Sequence, residues 1–170
     1  HRRDAVMFDI SFTEAQSDAK VTALLQTLCE TWHSTIPVSQ FMNIKPVLFN
    51  GDSLQVTAPL EPNVNLHHTM FAGSIYTLMT LTGWGMVWLQ QQLSQAHGDI
   101  VLADAKVRYL KPVTKQPYAK VIWPYTDLNP LNRGRRVKIT LEVALYCDDI
   151  MCATFTGQFV SLPPKNGRVD

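Results

Sequence analysis

The sequence predicts an α+β domain in which an antiparallel sheet packs on one long buried helix. Three observations carry that prediction. Between Ser74 and Gln92 there is no charged residue, so a helix there has no face made for water and must lie inside a sheet or against a partner chain. Val137, Ile139, Leu141, Val143 and Leu145 alternate with Lys138, Thr140 and Glu142, the period of a strand with one buried face. The predicted order along the chain is helix, two strands, long helix, four strands, with turn residues between the strands.

The composition fits one domain. The chain has 170 residues, 46% of them hydrophobic, which is enough for a core without cross-links. With 15 basic and 14 acidic residues the formal net charge is +1, so no global field favours nucleic acid as a partner. Cys29, Cys147 and Cys152 make an odd count without Cys-x-x-Cys spacing; neither a disulfide framework nor a zinc knuckle is indicated, and a reducing, cytoplasmic setting is the simplest expectation. The run from Ile75 to Leu89 is interrupted by threonines and glycines and is shorter than the roughly 20 apolar residues of a bilayer span. No membrane partner is expected, and the first residues lack a signal-peptide pattern.

Taken in order, residues 1–13 read as a loose segment, 14–163 as the domain and 164–170 as a tail. From Glu14 to Thr35, Val21, Leu24, Leu25, Leu28 and Trp32 follow helical spacing, with Ser17 or Asp18 placed to cap and Pro37 to terminate. Cys29 and His33 lie four apart on this helix, the spacing of a thiolate–imidazole pair, although no third group accompanies them. Phe41–Phe49 and Ser53–Leu60 read as strands joined by Asn50-Gly51-Asp52, a hairpin signal because Asn and Gly tolerate positive φ. Pro59 and Pro62 close the second strand and open a loop carrying Asn63, Asn65, His67 and His68. After the long helix the strands are Ile100–Leu110, Tyr118–Thr126, Val137–Tyr146 and Met151–Ser161, divided by turn residues that include Arg133-Gly134 and Asp148-Asp149.

A buried helix between the second and third strands of an antiparallel sheet resembles the hot-dog fold, in which the sheet wraps the helix. Asn65 with Phe71-Ala72-Gly73-Ser74, and the segment Ala103 to Val113, look like the helix-entry loop and third strand of hot-dog thioesterases. More narrowly, Pro62-Asn63-Val64-Asn65, Thr69 to Tyr76 and Gly83-Trp84-Gly85 resemble the YiiD C-terminal thioesterase-like family, over about residues 20–162. That resemblance implies a homodimer or dimer of dimers with sheets edge to edge, and an acyl thioester carried on acyl carrier protein or CoA. It implies no cofactor beyond the substrate's own phosphopantetheine. The family is labelled thioesterase and is also linked to decarboxylation of malonyl-acyl carrier protein, which supplies an acetyl primer for fatty acid synthesis.

Hydrolysis needs a carboxylate or other base to bring water to the carbonyl. Along the hot-dog hydrolase pattern, Asn65 matches the loop Asn, Phe71-Ala72-Gly73 replaces a His-Gly-Gly turn, and the helix acid falls at Thr80. No Asp or Glu occurs between Glu61 and Asp99. His67 or His68 remains available as a base, and Asp104 reaches the site only if it faces the helix. Losing carbon dioxide from a malonyl thioester instead needs donors aimed at a forming enolate and a dry pocket. Asn65, backbone N–H groups at Gly73 and Ser74, and the hydroxyls of Thr69 and Ser74 meet that need.

The expected catalytic residues are therefore Asn65, Gly73 and Ser74, with His67, His68, Thr69, Phe71, Ala72 and Thr80 lining the substrate. Arg133, Arg135 and Arg136, with Arg108 and Lys111 on or after the third strand, would meet phosphopantetheine phosphate or acidic carrier protein. Each feature has an ordinary reading too. Asn in a Pro-flanked loop is commonly a turn residue, with Asn63 the stronger turn candidate. Ser74 would serve as a helix cap, the arginines as a solvated turn, and Trp84 and Trp88 as core or dimer contact. Adjacent His67 and His68 lack metal-site spacing, so no metal is expected. Three functions follow: malonyl-carrier decarboxylation, thioester hydrolysis, or carrier-protein binding without catalysis.

Overall fold

Six antiparallel strands form one sheet, and a long helix lies across its concave face. The computed structural model describes residues 10–165, with side chains from Ser17 onward; expectations for 1–9 and 166–170 lie outside the described residues. The elements are α1 (Ile10–Thr35), α2 (Pro37–Phe41), β1 (Lys45–Phe49), β2 (Ser53–Thr57), α3 (Ala72–Ser94), β3 (Asp99–Tyr109), β4 (Tyr118–Ile122), β5 (Val137–Cys147) and β6 (Ile150–Leu162). The sheet order is β1-β2-β4-β5-β6-β3. This is the order of elements expected for a hot-dog domain.

Local chemistry explains where the elements end. Asn50 accepts the N–H groups of Asp52 and Ser53 at 2.9 and 2.8 Å through its side chain, and Gly51 takes φ +99, closing the β1–β2 hairpin. Asp148 and Asp149 both adopt positive φ, 52 and 62, the paired left-handed geometry that suits a two-residue hairpin. β1 carries Pro46, whose missing N–H suits its position at a sheet edge. The other edge is β3.

Several boundaries differ from the sequence prediction; β2 ends at Thr57 rather than Leu60, and β3, β5 and β6 differ by one residue at their ends. Ser17 and Asp18 do not cap α1, which already begins at Ile10, because Glu14, Ala15 and Gln16 are good helix formers that carry the helix through them. Phe41 is not in a strand: Pro37 fits the first turn of a helix, where its absent N–H costs nothing, so 37–41 coil as α2. Asn43 at φ 60 then turns the chain into β1. β4 stops at Ile122 rather than Thr126: the Trp123 N–H makes one last bond in register with β2, to Asp52 O at 2.7 Å, and Pro124, which has no N–H to donate, follows.

The core lies between α3 and the inner sheet face. Leu78, Met79, Met86 and Leu89 on the helix and Leu54, Leu141, Phe155 and Phe159 on the sheet are fully buried. The absence of charge on α3 is thereby explained, and its two buried glutamines have specific partners. Gln90 Nε2 reaches Gly51 O at 2.8 Å and Gln91 Nε2 reaches Ser161 Oγ at 3.0 Å, fixing the carboxyl end of the helix to the hairpin and to β6. Trp32 of α1 is completely buried against Gly85, so α1 closes the remaining flank. One stripe of α3, Tyr76, Thr80, Trp84 and Trp88, is less buried than the rest. Trp84 Nε1 on that stripe donates to Ile100 O of β3 at 3.1 Å.

Candidate active site

The loop between β2 and α3 delivers the site. After a 3₁₀ turn at Glu61–Asn63, Met70 N–H donates to Val113 O at 2.9 Å and Phe71 N–H to Asn63 O at 2.8 Å. These bonds tie the loop to the segment after β3 and close it on the 3₁₀ turn.

Asn65 organises the loop itself. Its Oδ1 accepts the N–H groups of His67 at 2.8 Å and Thr69 at 3.2 Å, and its Nδ2 lies 3.0 Å from Thr69 Oγ1. The turn-forming Asn is thus Asn65 and not Asn63. Asn63 is 2% exposed, and its Nδ2 donates instead to Met42 O at 3.0 Å and Pro59 O at 2.8 Å. Asn65 Oδ1 is committed to the loop, while Nδ2, with two hydrogens, retains one for a ligand.

The amino end of α3 has no side-chain cap. Phe71 occupies the cap position in extended conformation without a capping bond, so Ser74 lies inside the first turn rather than before it. The N–H of Ile75 meets Phe71 O at 3.0 Å. The preceding N–H groups, on Ala72, Gly73 and Ser74, are the unsatisfied donors of a helix start, where the helix dipole also favours negative charge.

Two cavities flank this helix end. One of about 320 Å³ is lined by Asn65, Ala72, Ile75, Tyr109, Lys111 and Val113 among others, none of them Asp or Glu. The other, about 360 Å³, is lined by Phe41, Asn63, Phe71, Gly73, Ser74 and Thr77 among others. Phe71 folds over Gly73, where a Cβ would sit 2.4 Å from its ring; a side chain at 73 would push the ring away.

The predicted residues are therefore distributed. Asn65, Ala72 and Lys111 share the first cavity; Phe71, Gly73 and Ser74 line the second; Thr69 is half-buried against Asn65. His67 and His68 stand on the exposed loop tip, His68 at φ 63. Thr80 is on the less buried stripe of α3, its Oγ1 buried without a hydrogen-bond partner. Asp104 faces away from the helix. A bulge between Leu102 and Asp104 shifts the alternation, so Ala105 and Val107 pack on the core while Asp104, Lys106 and Arg108 are exposed on the outer face.

Arg133, Arg135 and Arg136 are exposed beside the start of β5, where Val137 pairs with Ser161 and Ser161 with Ile100. That is the opposite end of β3 from Tyr109, roughly 30 Å away at the rise of a strand. Within one protomer the arginines and Lys111 do not form one patch.

Tyr109 received no role from its sequence context, yet its hydroxyl donates to Ala72 O at 3.1 Å. Its ionisation is raised first by burial and then by Tyr76. No sequence signal could have found this tyrosine, because the bulge that sets the facing of Val107 and Tyr109 is not marked in the sequence. Cys29 and His33 do approach, at 3.8 Å, but the His33 ring is bonded to Ile44 O at 2.7 Å. Burial pushes the Cys29 thiol up, opposite to what a nucleophilic thiolate requires. Among the described residues no group of three His, Cys, Asp or Glu side chains could hold a metal, and no helix is long and apolar enough to cross a membrane.

Residues 25–163 match the family described as "Putative thioesterase (yiiD_Cterm)". The chain belongs to that family. A solved structure described as the "putative thioesterase" of Shewanella oneidensis is 65% identical, covering 84% of this chain and 99% of that one with a TM-score of 0.82. A protein of unknown function from Chlorobaculum tepidum is 29% identical over 82% of this chain and 94% of its own, TM-score 0.78. A Pseudomonas aeruginosa protein described as a probable thioesterase shares the fold at 16% identity, TM-score 0.66, over 81% of this chain and 94% of its own. With these neighbours the fold of this family member is the hot-dog fold.

Proposed function

We propose that this family member decarboxylates malonyl groups carried as thioesters on acyl carrier protein, leaving acetyl. The observation that carries the reading is the cavity beside Asn65, which has a free amide N–H, an uncapped helix end and no carboxylate in its lining. A fixed Asp or Glu would repel the malonyl carboxylate. Neutral donors favour the state in which the carbon–carbon bond breaks and its electrons move onto the thioester oxygen. In this reading Asn65 Nδ2 and the N–H groups at the start of α3, of which Ala72 lines the same cavity, donate to that oxygen, each donor contributing on the order of 3 kcal/mol, about a hundredfold in rate. The exposed Lys111 at the rim draws in an anionic substrate.

A two-fold dimer through the free edge of β3 fits the same reading. Two-fold pairing of one edge with itself runs antiparallel, so it brings the Asp99 end of one β3 to the Tyr109 end of the other. Arg133, Arg135 and Arg136 of each protomer then approach the other's cavity, where phosphopantetheine phosphate or acidic carrier protein would meet them. The less buried stripe of Tyr76, Thr80, Trp84 and Trp88 suits the same contact. No cofactor is invoked, and a cytoplasmic setting accompanies the substrate.

Hydrolysis of acyl carrier protein or CoA thioesters is the second reading, favoured by the family description and by the printed description of the Shewanella structure. The deciding experiment incubates the protein with malonyl, acetyl and longer acyl carrier proteins and follows intact mass. Loss of carbon dioxide with the thioester retained supports decarboxylation; free carrier thiol replaces it with hydrolysis; unchanged masses with retained binding leave a non-catalytic carrier-protein module.

A further inference from the structure

Tyr109, the last residue of β3, is the one neutral hydroxyl of a titratable side chain in the Asn65 cavity. It is held from both directions. Its backbone pairs with Ala153 of β6, and the next two N–H groups, of Leu110 and Lys111, converge on Cys152 O at 2.8 and 3.1 Å. The bulge near Leu102 and Asp104 turns Ala105 and Val107 onto the core, and Tyr109, two residues on and 52% exposed, lies at the rim on the same side of the strand. The phenolic oxygen therefore lies 3.1 Å from the carbonyl of Ala72, the first residue of α3 and one of those whose N–H is uncapped.

Decarboxylation creates a need that these N–H groups do not meet. It leaves a carbanion equivalent that must gain a proton at carbon before acetyl can leave. No carboxylic acid lines the cavity, and the two loop histidines stand on the exposed tip. We propose that Tyr109 supplies that proton, an inference that rests on the decarboxylation reading above. The malonyl carbon–carbon bond breaks, its electron pair enters the thioester as an enolate, and carbon dioxide departs. The enolate carbon then forms a bond to the phenolic hydrogen as the O–H bond of Tyr109 breaks, and the phenolate regains its proton from water. No oxidant or reductant takes part.

A phenol suits this task where a carboxylic acid would not. A phenol is neutral near pH 7 because it ordinarily ionises near 10, and burial and Tyr76 shift Tyr109 further in that direction, so it presents no charge to the incoming malonyl carboxylate. The enolate carbon is a much stronger base than phenolate, so the raised ionisation does not oppose transfer. The Ala72 carbonyl orients the hydroxyl until the substrate displaces it.

The test compares wild type with Tyr109→Phe, which removes one exposed-edge hydroxyl and keeps the ring. Both are given malonyl-acyl carrier protein in an equal mixture of H₂O and D₂O, and turnover and the deuterium content of the acetyl methyl group are measured. The expected result is a fall in kcat of about a hundredfold with KM little changed, and an altered deuterium content because water replaces the phenol as donor. A fall in rate with unaltered deuterium content would reduce Tyr109 to a structural role and overturn the inference. Equal rates and equal deuterium content would overturn it while leaving the decarboxylation reading intact. If wild type itself releases no carbon dioxide, that reading fails and the role of Tyr109 falls with it.

Discussion

Asn65 and Thr69 bond to each other four times over: Asn65 N–H donates to Thr69 O at 2.8 Å, Thr69 N–H to Asn65 Oδ1 at 3.2 Å, Asn65 Nδ2 lies 3.0 Å from Thr69 Oγ1, and that hydroxyl lies 3.3 Å from Oδ1. The same side chain is thus a turn former and, in the proposed reading, a cavity donor, with the two jobs on different atoms. Oδ1 shapes the loop, and Nδ2, bonded to Thr69 Oγ1, keeps a second hydrogen.

Asn65→Asp separates the jobs. Both carboxylate oxygens still accept the His67 and Thr69 N–H groups, and the Thr69 hydroxyl can donate in place of accepting. The melting temperature should stay close to wild type. Turnover of malonyl-acyl carrier protein should fall about a hundredfold or more, because a donor has become a negative charge beside the substrate carboxylate. Asn65→Ala should lose both, with about 1 kcal/mol of stability gone alongside activity. An Asp variant that turns over at the wild-type rate would remove Asn65 from the chemistry.

Asp104→Asn tests the one carboxylate on β3 that the hydrolase reading could have used. Because Asp104 is on the outer face, with the sheet between it and α3, the variant should decarboxylate malonyl-acyl carrier protein at the wild-type rate. Exposed substitutions of this kind change stability by about 0.5 kcal/mol or less. A tenfold loss of turnover in a folded Asp104→Asn protein, measured at saturating substrate, would bring the acid back into the mechanism.

The orientation of Asp104 also marks where the sequence stops being legible. Counting by twos from Ile100 puts Leu102 and then Asp104 on the inner face; the bulge inserts one residue and exchanges the faces from there on, and nothing local to the sequence announces it. β5 has no such interruption over Val137 to Leu145, and its alternation could be read directly. The hairpin at Asn50-Gly51 and the helix α3 were legible for similar reasons, one from backbone freedom and the other from a complete lack of charge. α2 was not, since five residues carry little periodicity, and its neighbour Met42 is tied to Asn63, 21 positions away. For the site, the motif located Asn65 and the helix end. That Asn65 lines one cavity while Gly73 and Ser74 line another was not legible, because cavity walls such as Val113 and Phe41 are brought to the loop only by folding.

Gly83 illustrates a position where helix propensity and packing oppose each other. In an exposed helix Gly→Ala gains roughly 1 kcal/mol. At Gly83 an added Cβ would sit 2.6 and 2.7 Å from two ring carbons of Phe159, which is itself fully buried and has little room to give. Overpacking of this kind costs about 1–3 kcal/mol, so Gly83→Ala should lower the urea midpoint despite the better helix former. A midpoint at or above wild type would show that Phe159 moves freely.

Alkaline pH should weaken the fold through Cys152, which is 2% exposed. Burial, and then the neighbouring Cys147, raise its thiol above the ordinary value of 9.0, against smaller opposing effects from a hydrogen bond with Cys147 and the charge of Lys111. The sign follows from proton counting. Above pH 9.0 the unfolded chain releases this proton while the folded chain keeps it, so the unfolded state holds fewer protons and stability falls with rising pH. The contribution is complete below the unfolded value and is lost as pH passes through the folded one. Urea unfolding of wild type and Cys152→Ala at about pH 8 and about pH 10, on either side of the ordinary thiol range, isolates the effect. The variant should be less stable at the lower pH, because it loses a buried side chain, yet should lose less on going to the higher. An equal loss in both proteins would mean that the thiol ionises as readily inside the fold as outside it.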